Sequence, residues 1–133
     1  MTVLLDTHVA LWLATDDEQL GKRTRSLIDA ATRSSELAIS AVSFWEIALL
    51  VAKGLLESTI PAIELRSRLL QAGISEIPLT GDIALASTEL TLHGDPADRF
   101  IAASAISLSA TLITADEKLL AWKNALKRQD ARR

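Results

Sequence analysis

The 133-residue chain has no cysteine, so it forms no disulfide and offers no thiolate to a metal. The reducing cytosol is compatible with that absence. Tyrosine is missing too, which leaves Trp12, Trp45 and Trp122 to carry most of the aromatic area. No stretch reaches the roughly 20 apolar residues that span a bilayer. The opening MTVLLDTHVALWLA is apolar, but it lacks a basic n-region and is interrupted by Asp6 and His8, so it does not read as a signal peptide. There is no internal repeat and no low-complexity linker. The expectation is one soluble, cytoplasmic domain, without membrane contact and long enough to build a core.

Charged residues are few, at 23%, while hydrophobic residues reach 49% and mean hydropathy is +0.24. That balance predicts apolar surface turned toward a partner. Net charge is −3, which taken alone argues against a nucleic-acid ligand. Its distribution is more informative. Residues 123–133 set Lys123, Lys127, Arg128, Arg132 and Arg133 against Asp130, a net of +4, and leave −7 on the rest. An acidic body with a basic tail suits a metal pocket and a phosphate-attracting arm; a solvated, frayed C-terminus is the plainer alternative.

Short apolar runs alternate with helical patterns. Val3-Leu4-Leu5, Leu37-Ala38-Ile39, Ile74 to Pro78 and Thr111-Leu112-Ile113 read as strands. Helices are expected from Asp6-Thr7 to about Ala14, from Lys22 to about Arg33, and from Ser43 to about Lys53 with Gly54 beyond its end. Others follow Pro61 to about Gln71 before Gly73, Thr80 to about Leu92, Asp95-Pro96 to about Ser107, and Ala115 to about Lys127. The strand runs show no in/out alternation, which points to parallel strands buried on both faces. The fold class expected is therefore α/β, with helices on both sides of a short parallel sheet.

Four carboxylates, Asp6, Glu46, Asp98 and Asp116, stand where a strand or loop hands over to a helix. In an open α/β sheet such junctions share one edge, the usual ligand crevice. Each acid has a plain structural reading. Asp6 serves as an N-cap, Ser43-x-x-Glu46 as a capping box, Asp95-Pro96-x-Asp98 as a cap with a first-turn acid, and Thr114-x-Asp116 as a further cap. Together they carry a different implication, because Ser, Thr or Asn would cap as well. Two like charges about 4 Å apart repel by roughly 4 kcal/mol at an effective dielectric near 20. With few basic partners beside them, a divalent cation is the first remedy to weigh. Mg²⁺ and Mn²⁺ favour such oxygen ligands, and an ion so held activates water and stabilises charge on a phosphodiester. Thr7 and Thr114 stand beside Asp6 and Asp116, where their hydroxyls can orient water.

Four segments, LLDTHVALWL, SAVSFWEIALLVAKG, HGDPADRFIAASA and LITAD, spread over residues 3–118, resemble the PIN-domain nucleases, specifically the VapC-type toxins of toxin–antitoxin pairs. The resemblance implies a PIN-like three-layer α/β/α domain over residues 1–122, with a sheet of four to five mostly parallel strands and residues 123–133 as a basic helix end or tail. It also implies a Mg²⁺- or Mn²⁺-dependent endoribonuclease acting on structured RNA such as tRNA or rRNA. Asp6, Glu46, Asp98 and Asp116 would be its catalytic and metal-binding acids, with Thr7, Thr114 and Asp95 in support and helix capping the stronger role for Asp95. The partners implied are a homodimer and a cognate VapB-type antitoxin whose C-terminal segment covers the pocket, possible in a higher-order toxin–antitoxin complex. The chain departs from the family pattern at Gly94 and Ala97, where relatives often carry a larger basic and an aromatic residue, and in its longer, more basic ending.

His8 and His93 each lack a second histidine at metal spacing, so catalysis is the weaker reading for both. Arg99 is expected to pair with a neighbouring acid, Trp12 to pack in the core, and Trp45 to face the groove of a partner helix. Lys53-Gly54 reads as helix termination only. Two other functions fit an acidic α/β crevice: a receiver-type phospho-acceptor domain, which would want a lysine at a late strand end, and a non-catalytic binding module whose acids only cap helices.

Overall fold

The computed structural model describes residues 1–57, 60–92 and 94–133. Its centre is a five-stranded sheet in the order β3-β2-β1-β4-β5, with every pairing parallel. The strands are β1 (Val3–Leu5), β2 (Leu37–Ser40), β3 (Ser75–Ile77), β4 (Thr111–Thr114) and β5 (Lys127–Asp130). Between them run α1 (Thr7–Ala14), α2 (Lys22–Arg33), α3 (Ala41–Ala52), α4 (Ala62–Gln71), α5 (Gly81–Ser87), α6 (Pro96–Ser107) and α7 (Glu117–Ala121).

Two cores explain why the central strands read as unbroken apolar runs. Val3, Leu5, Leu37, Ile39 and Ile113 point to one face, where Val9, Ile28, Phe44, Ile47, Leu65 and Leu69 of α1 to α4 cover them. Leu4, Ala38 and Leu112 point to the other, under Ile101, Ala102 and Ala105 of α6 and Leu119 of α7. Alternation by two sends successive side chains to opposite faces, and both faces are dry. This is the three-layer α/β/α arrangement expected. The strand order turns back at β1, which lies between β2 and β4, so the crevice of such a fold opens beyond the C-terminal ends of these strands.

The structure corrects four local expectations. α3 begins at Ala41, capped by the Ser40 hydroxyl, which accepts from the Val42 amide. Ser43 is therefore inside the helix and buried, and the Ser43–Glu46 capping box does not form. α5 stops at Ser87 rather than near Leu92. The last helix ends at Ala121, not near Lys127. Beyond it the basic tail is neither a helix end nor frayed: Lys127–Asp130 forms β5, in register from Thr111↔Lys127 to Thr114↔Asp130. An edge strand needs no apolar run, because one side faces water, and its charges discourage edge-to-edge association. Leu126 and Ala131, buried at its two ends, fasten it.

The end of the chain is stitched back onto the start of α2. The Gly21 amide donates to the Ala131 carbonyl at 2.9 Å, the Arg23 amide to the Arg133 carbonyl at 2.9 Å, and the Thr24 hydroxyl to the Asp130 carbonyl at 3.1 Å. The contact leaves no room at Gly21, where a Cβ would lie 2.1 Å from the Arg133 carbonyl carbon. Gly21→Ala is expected to lower stability by about 1–3 kcal/mol, as overpacking against backbone does. Urea unfolding checks this, and hydrogen exchange should lose protection first in residues 127–131; unchanged stability and protection would exclude the stitch as a fastening.

Candidate active site

Asp6 follows directly on β1, and its amide continues the ladder by donating to the Ile113 carbonyl at 3.0 Å. Its side chain is buried, and both oxygens are used. Oδ1 accepts from the Thr7 amide at 2.8 Å, capping α1, and Oδ2 accepts from the Thr114 hydroxyl at 2.7 Å. Thr114 in turn accepts from the Asp116 amide at 3.0 Å, so one hydroxyl ties the ends of β1 and β4 to the start of α7. The Thr7 hydroxyl donates to Ser43 Oγ at 3.0 Å, joining α1 to α3. Burial pushes the Asp6 carboxyl above its ordinary range, against the lowering effect of the Thr114 and Thr7 bonds and of His8.

Asp95, Asp98 and Asp116 arrive on helix starts, whereas Glu46, expected at such a junction, lies in the second turn of α3. Asp95 caps α6, its Oδ1 accepting from the Asp98 amide at 3.1 Å, with Pro96 in the first turn. Asp116 caps α7 through the Lys118 amide at 2.8 Å. Glu46 lies in α3, half-buried. Glu46, Asp95 and Asp98 each present an oxygen within 4.8 Å of the other two, spacing that a single cation can bridge. Asp6 and Asp116 stand outside that trio yet bear on it. The Asp98 carboxyl is pushed up to about 7, first by burial and then by the charges of Asp95, Asp6, Asp116 and Glu46. Burial also raises Glu46, opposed by the Thr7 hydroxyl and reinforced by Asp95 and Asp6.

Of the four predicted acids, Glu46 and Asp98 come together in one cluster, while Asp6 and Asp116 lie outside it, near enough for their charges to act on Asp98. Asp95 joins Glu46 and Asp98 as both cap and cluster member, a stronger part than its sequence reading gave it. Thr7 and Thr114 act on Asp6 and the helices; Thr114 is not itself the cap of α7. No ion pair among the described residues reaches these acids. The donor set is all carboxylate oxygen, crowded and short of counter-charge, and it fits a hard divalent cation.

His8 is exposed on α1 and lines a cavity of about 270 Å³ with Asp6 and Asp116; His93 lies outside the described residues. Arg99 does not pair with an acid, since its guanidinium donates to the Ser87 and Leu90 carbonyls at 3.4 and 3.3 Å. Gly94 leaves space for Asp98, because a Cβ there would stand 3.2 Å from Oδ2 and press on the carboxylate. Trp12 is partly buried against the core. Trp45 is 53% exposed and shares a cavity with Glu46 and Asp95.

Three neighbours take places that local sequence does not assign them. The spacing predicts Ser43 as a cap, although a small polar residue in an otherwise apolar turn is a fair sign of a buried hydrogen bond. Lys53, the C-cap of α3, lines the cavity of Glu46 and Asp95. Arg132, from the far end of the chain, lines that of Asp6 and Asp116. No local pattern reveals the last two, because only tertiary folding brings them there.

This sheet order with acids at its C-terminal edge defines a known class: residues 3–123 match the PIN domain, and the chain belongs to that family. Among curated relatives it is similar to Ribonuclease VapC22 of Mycobacterium tuberculosis (strain ATCC 25618 / H37Rv), at 33% identity over 120 residues and 89% of each chain. Among solved structures it superposes on a chain of VapBC2 from Rickettsia felis bound to promoter DNA, with TM-score 0.70, 20% identity and coverage of 97% and 98%. A chain of DNA-bound VapBC from Salmonella typhimurium gives TM-score 0.71 at 16% identity, covering 98% of each. VapBC-1 from nontypeable Haemophilus influenzae gives 0.67 at 24% identity, covering 100% of each. At these identities the structural likeness speaks for the fold alone.

Two outcomes follow. Thr114→Val removes a partner from a buried acceptor and is expected to lower stability by about 1–3 kcal/mol in denaturant unfolding; no change would mean the Asp6–Thr114 bond holds nothing together. Asp98 has a folded-state value raised above its unfolded one, so its stabilising share is complete below about pH 4 and lost as pH climbs to about 7. In chelator, Asp98→Asn is expected to be more stable than the parent at pH 8 by roughly 1–2 kcal/mol, reduced from the full linkage value because the carboxyl still meets water. The gap should shrink toward pH 5 in thermal melts, and a gap independent of pH would refute the crowding.

Proposed function

We propose that the protein is a metal-dependent endoribonuclease of the VapC toxin type, held in check by a VapB-type antitoxin. The observation that carries this reading is the trio Glu46, Asp95 and Asp98, oxygens within 4.8 Å, beside the buried Asp6 at the crevice edge of a PIN domain. The similarity to Ribonuclease VapC22 supports the activity and its RNA substrate.

Glu46, Asp95 and Asp98 would hold a Mg²⁺ or Mn²⁺ ion, with Asp6 and Asp116 adding charge behind them. Such an ion, when bound, activates water and offsets charge on the phosphodiester. Asp6 is fixed by the Thr7 amide and Thr114 hydroxyl, so its negative charge stays in place while substrate binds. Gly94 keeps Asp98 free to turn toward the crevice. A water attacks the phosphorus in line; one P–O bond forms, the opposite one breaks, and the site's carboxylates accept the water's proton. No side chain becomes covalently bonded to the RNA. Structured RNA, tRNA above all, is the substrate class proposed.

The antitoxin reading rests on the surface around the acids. The cavity of Glu46 and Asp95 is also lined by Trp45, Leu50 and Leu55, and Leu55 is 72% exposed. An amphipathic segment carrying one basic side chain suits such an apolar groove with an acidic floor. A homodimer and a larger toxin–antitoxin assembly, working in the cytoplasm, complete the proposal. Among the described residues no helix is long and apolar enough to cross a membrane.

Purified protein freed of antitoxin is expected to cleave cellular RNA in Mg²⁺ or Mn²⁺ and to lose cleavage in chelator. Asp6→Asn and Asp98→Asn should each lower the rate by about 100-fold or more, since even outer partners of a metal site contribute 10–100-fold. Cleavage that persists in chelator, or in both variants, removes the mechanism. Calorimetry that detects no divalent ion would instead favour the binding module.

A further inference from the structure

The C-terminal basic stretch has a fixed side chain at the catalytic crevice that the nuclease reading leaves unused. We propose that Arg132 is a positioning residue for RNA, gripping a backbone phosphate that neighbours the scissile one. The inference rests on the ribonuclease reading and assigns one substrate contact within it.

Arg132 is held from both sides. Its neighbour Ala131 is bonded in two directions, the Ala131 amide to the Thr114 carbonyl at 2.9 Å and its carbonyl to the Gly21 amide at 2.9 Å. Arg133 accepts from the Arg23 amide, and the Arg132 amide itself donates to Asp130 Oδ1 at 3.0 Å. The backbone is thus held, and two contacts place the exposed side chain. One guanidinium nitrogen donates to the Ala115 carbonyl at 2.9 Å, and the guanidinium carbon stands 5.5 Å from the centre of the Trp12 ring. Trp12, Asp6, His8, Asp116 and Arg132 line the same cavity.

An arginine in an acidic cavity would be expected to pair with a carboxylate. Among the described residues Arg132 forms no ion pair. The Ala115 carbonyl and the indole face hold the cation back from the acids, so most of its planar fork of donors stays available. That fork matches phosphate oxygens in pairs. A fixed cation at the rim also answers a physical problem of the site: a polyanion must approach a cluster of carboxylates, and a nearby positive charge reduces the repulsion. An internal lock on Asp6 or Asp116, the competing reading of a basic residue here, would require the ion pair that the structure lacks.

The test uses the full chain freed of antitoxin and compares the parent with Arg132→Met and Arg132→Lys. Fluorescence anisotropy with a labelled transfer RNA, in Ca²⁺ across a salt series, reads affinity; Mn²⁺-supported cleavage of the same RNA reads KM and kcat. Arg132→Met is expected to weaken binding about tenfold and to reduce the slope of log affinity against log salt by about 0.7–0.9, the range for one phosphate on a single strand or a duplex. KM should rise while kcat stays within about threefold, because an interaction equal in ground and transition states affects only binding. Arg132→Lys should restore the salt slope but only part of the affinity. A purely structural arginine would lower melting temperature and leave the slope alone. Parent affinity and slope in Arg132→Met, in a protein that cleaves RNA, overturn the phosphate contact and keep the nuclease. Arg132-dependent binding without any cleavage keeps the contact and removes the nuclease; no RNA binding at all removes both.

Discussion

The bond from the Thr114 hydroxyl to the buried Asp6 carboxylate is the point on which the site turns. It joins neighbouring parallel strands just beyond their last paired residues, Leu5 and Ile113. Through the same hydroxyl it receives the Asp116 amide, and through the Thr7 amide it anchors α1. A carboxylate in that position is costly, because burial disfavours its charge and, among the described residues, no basic side chain pairs with it. The hydrogen bonds offset part of that burden. Asp98 and Glu46 are raised as well, first by their own burial and then by neighbouring acids, Asp6 among them.

That electrostatic tension is what separates the site from a set of helix caps. Asp95 and Asp116 do cap helices, and a cap alone is stabilising near a positive helix end. Yet the acids repel one another across the crevice, and a fold that needed only caps would avoid that by using Ser or Asn. Ser40 and Thr80, which cap α3 and α5, illustrate the neutral solution elsewhere in the same chain. Capping therefore does not account for the excess of negative charge at this edge of the sheet, where Glu46, Asp95 and Asp98 are spaced so that one cation could bridge them. Two cations that form no ion pair among the described residues line the cavities of these acids, Lys53 with Glu46 and Asp95, and Arg132 with Asp6 and Asp116.

The C-terminal segment shows how an edge strand differs from a central one. Lys127–Asp130 has no apolar run, so no periodicity marks it as a strand. What selects it is the unsatisfied edge of β4 and the two buried residues, Leu126 and Ala131, at its ends. It lies beyond residues 3–123, where the family match ends, and it brings the chain's last arginines to the start of α2 and to the crevice.

The layered α/β architecture is legible in the chain alone, since short apolar runs without alternation, set between helical patterns, suit strands dry on both faces. The chain also shows which acids stand at strand-to-helix junctions, because capping and chain reversal leave local signatures at Asp6, Asp95 and Asp116. It could not place Ser43 or separate a capping box from a helix already under way at Ala41, a choice made by the Ser40 hydroxyl and the bond from Thr7. That Asp95 joins Glu46 and Asp98, that β5 exists, and that Arg132 reaches the cavity of Asp116 depend on the folded chain. The reason is physical: periodicity and caps act over a few residues, whereas charge crowding and edge pairing depend on distances between groups as much as a hundred residues apart in the chain.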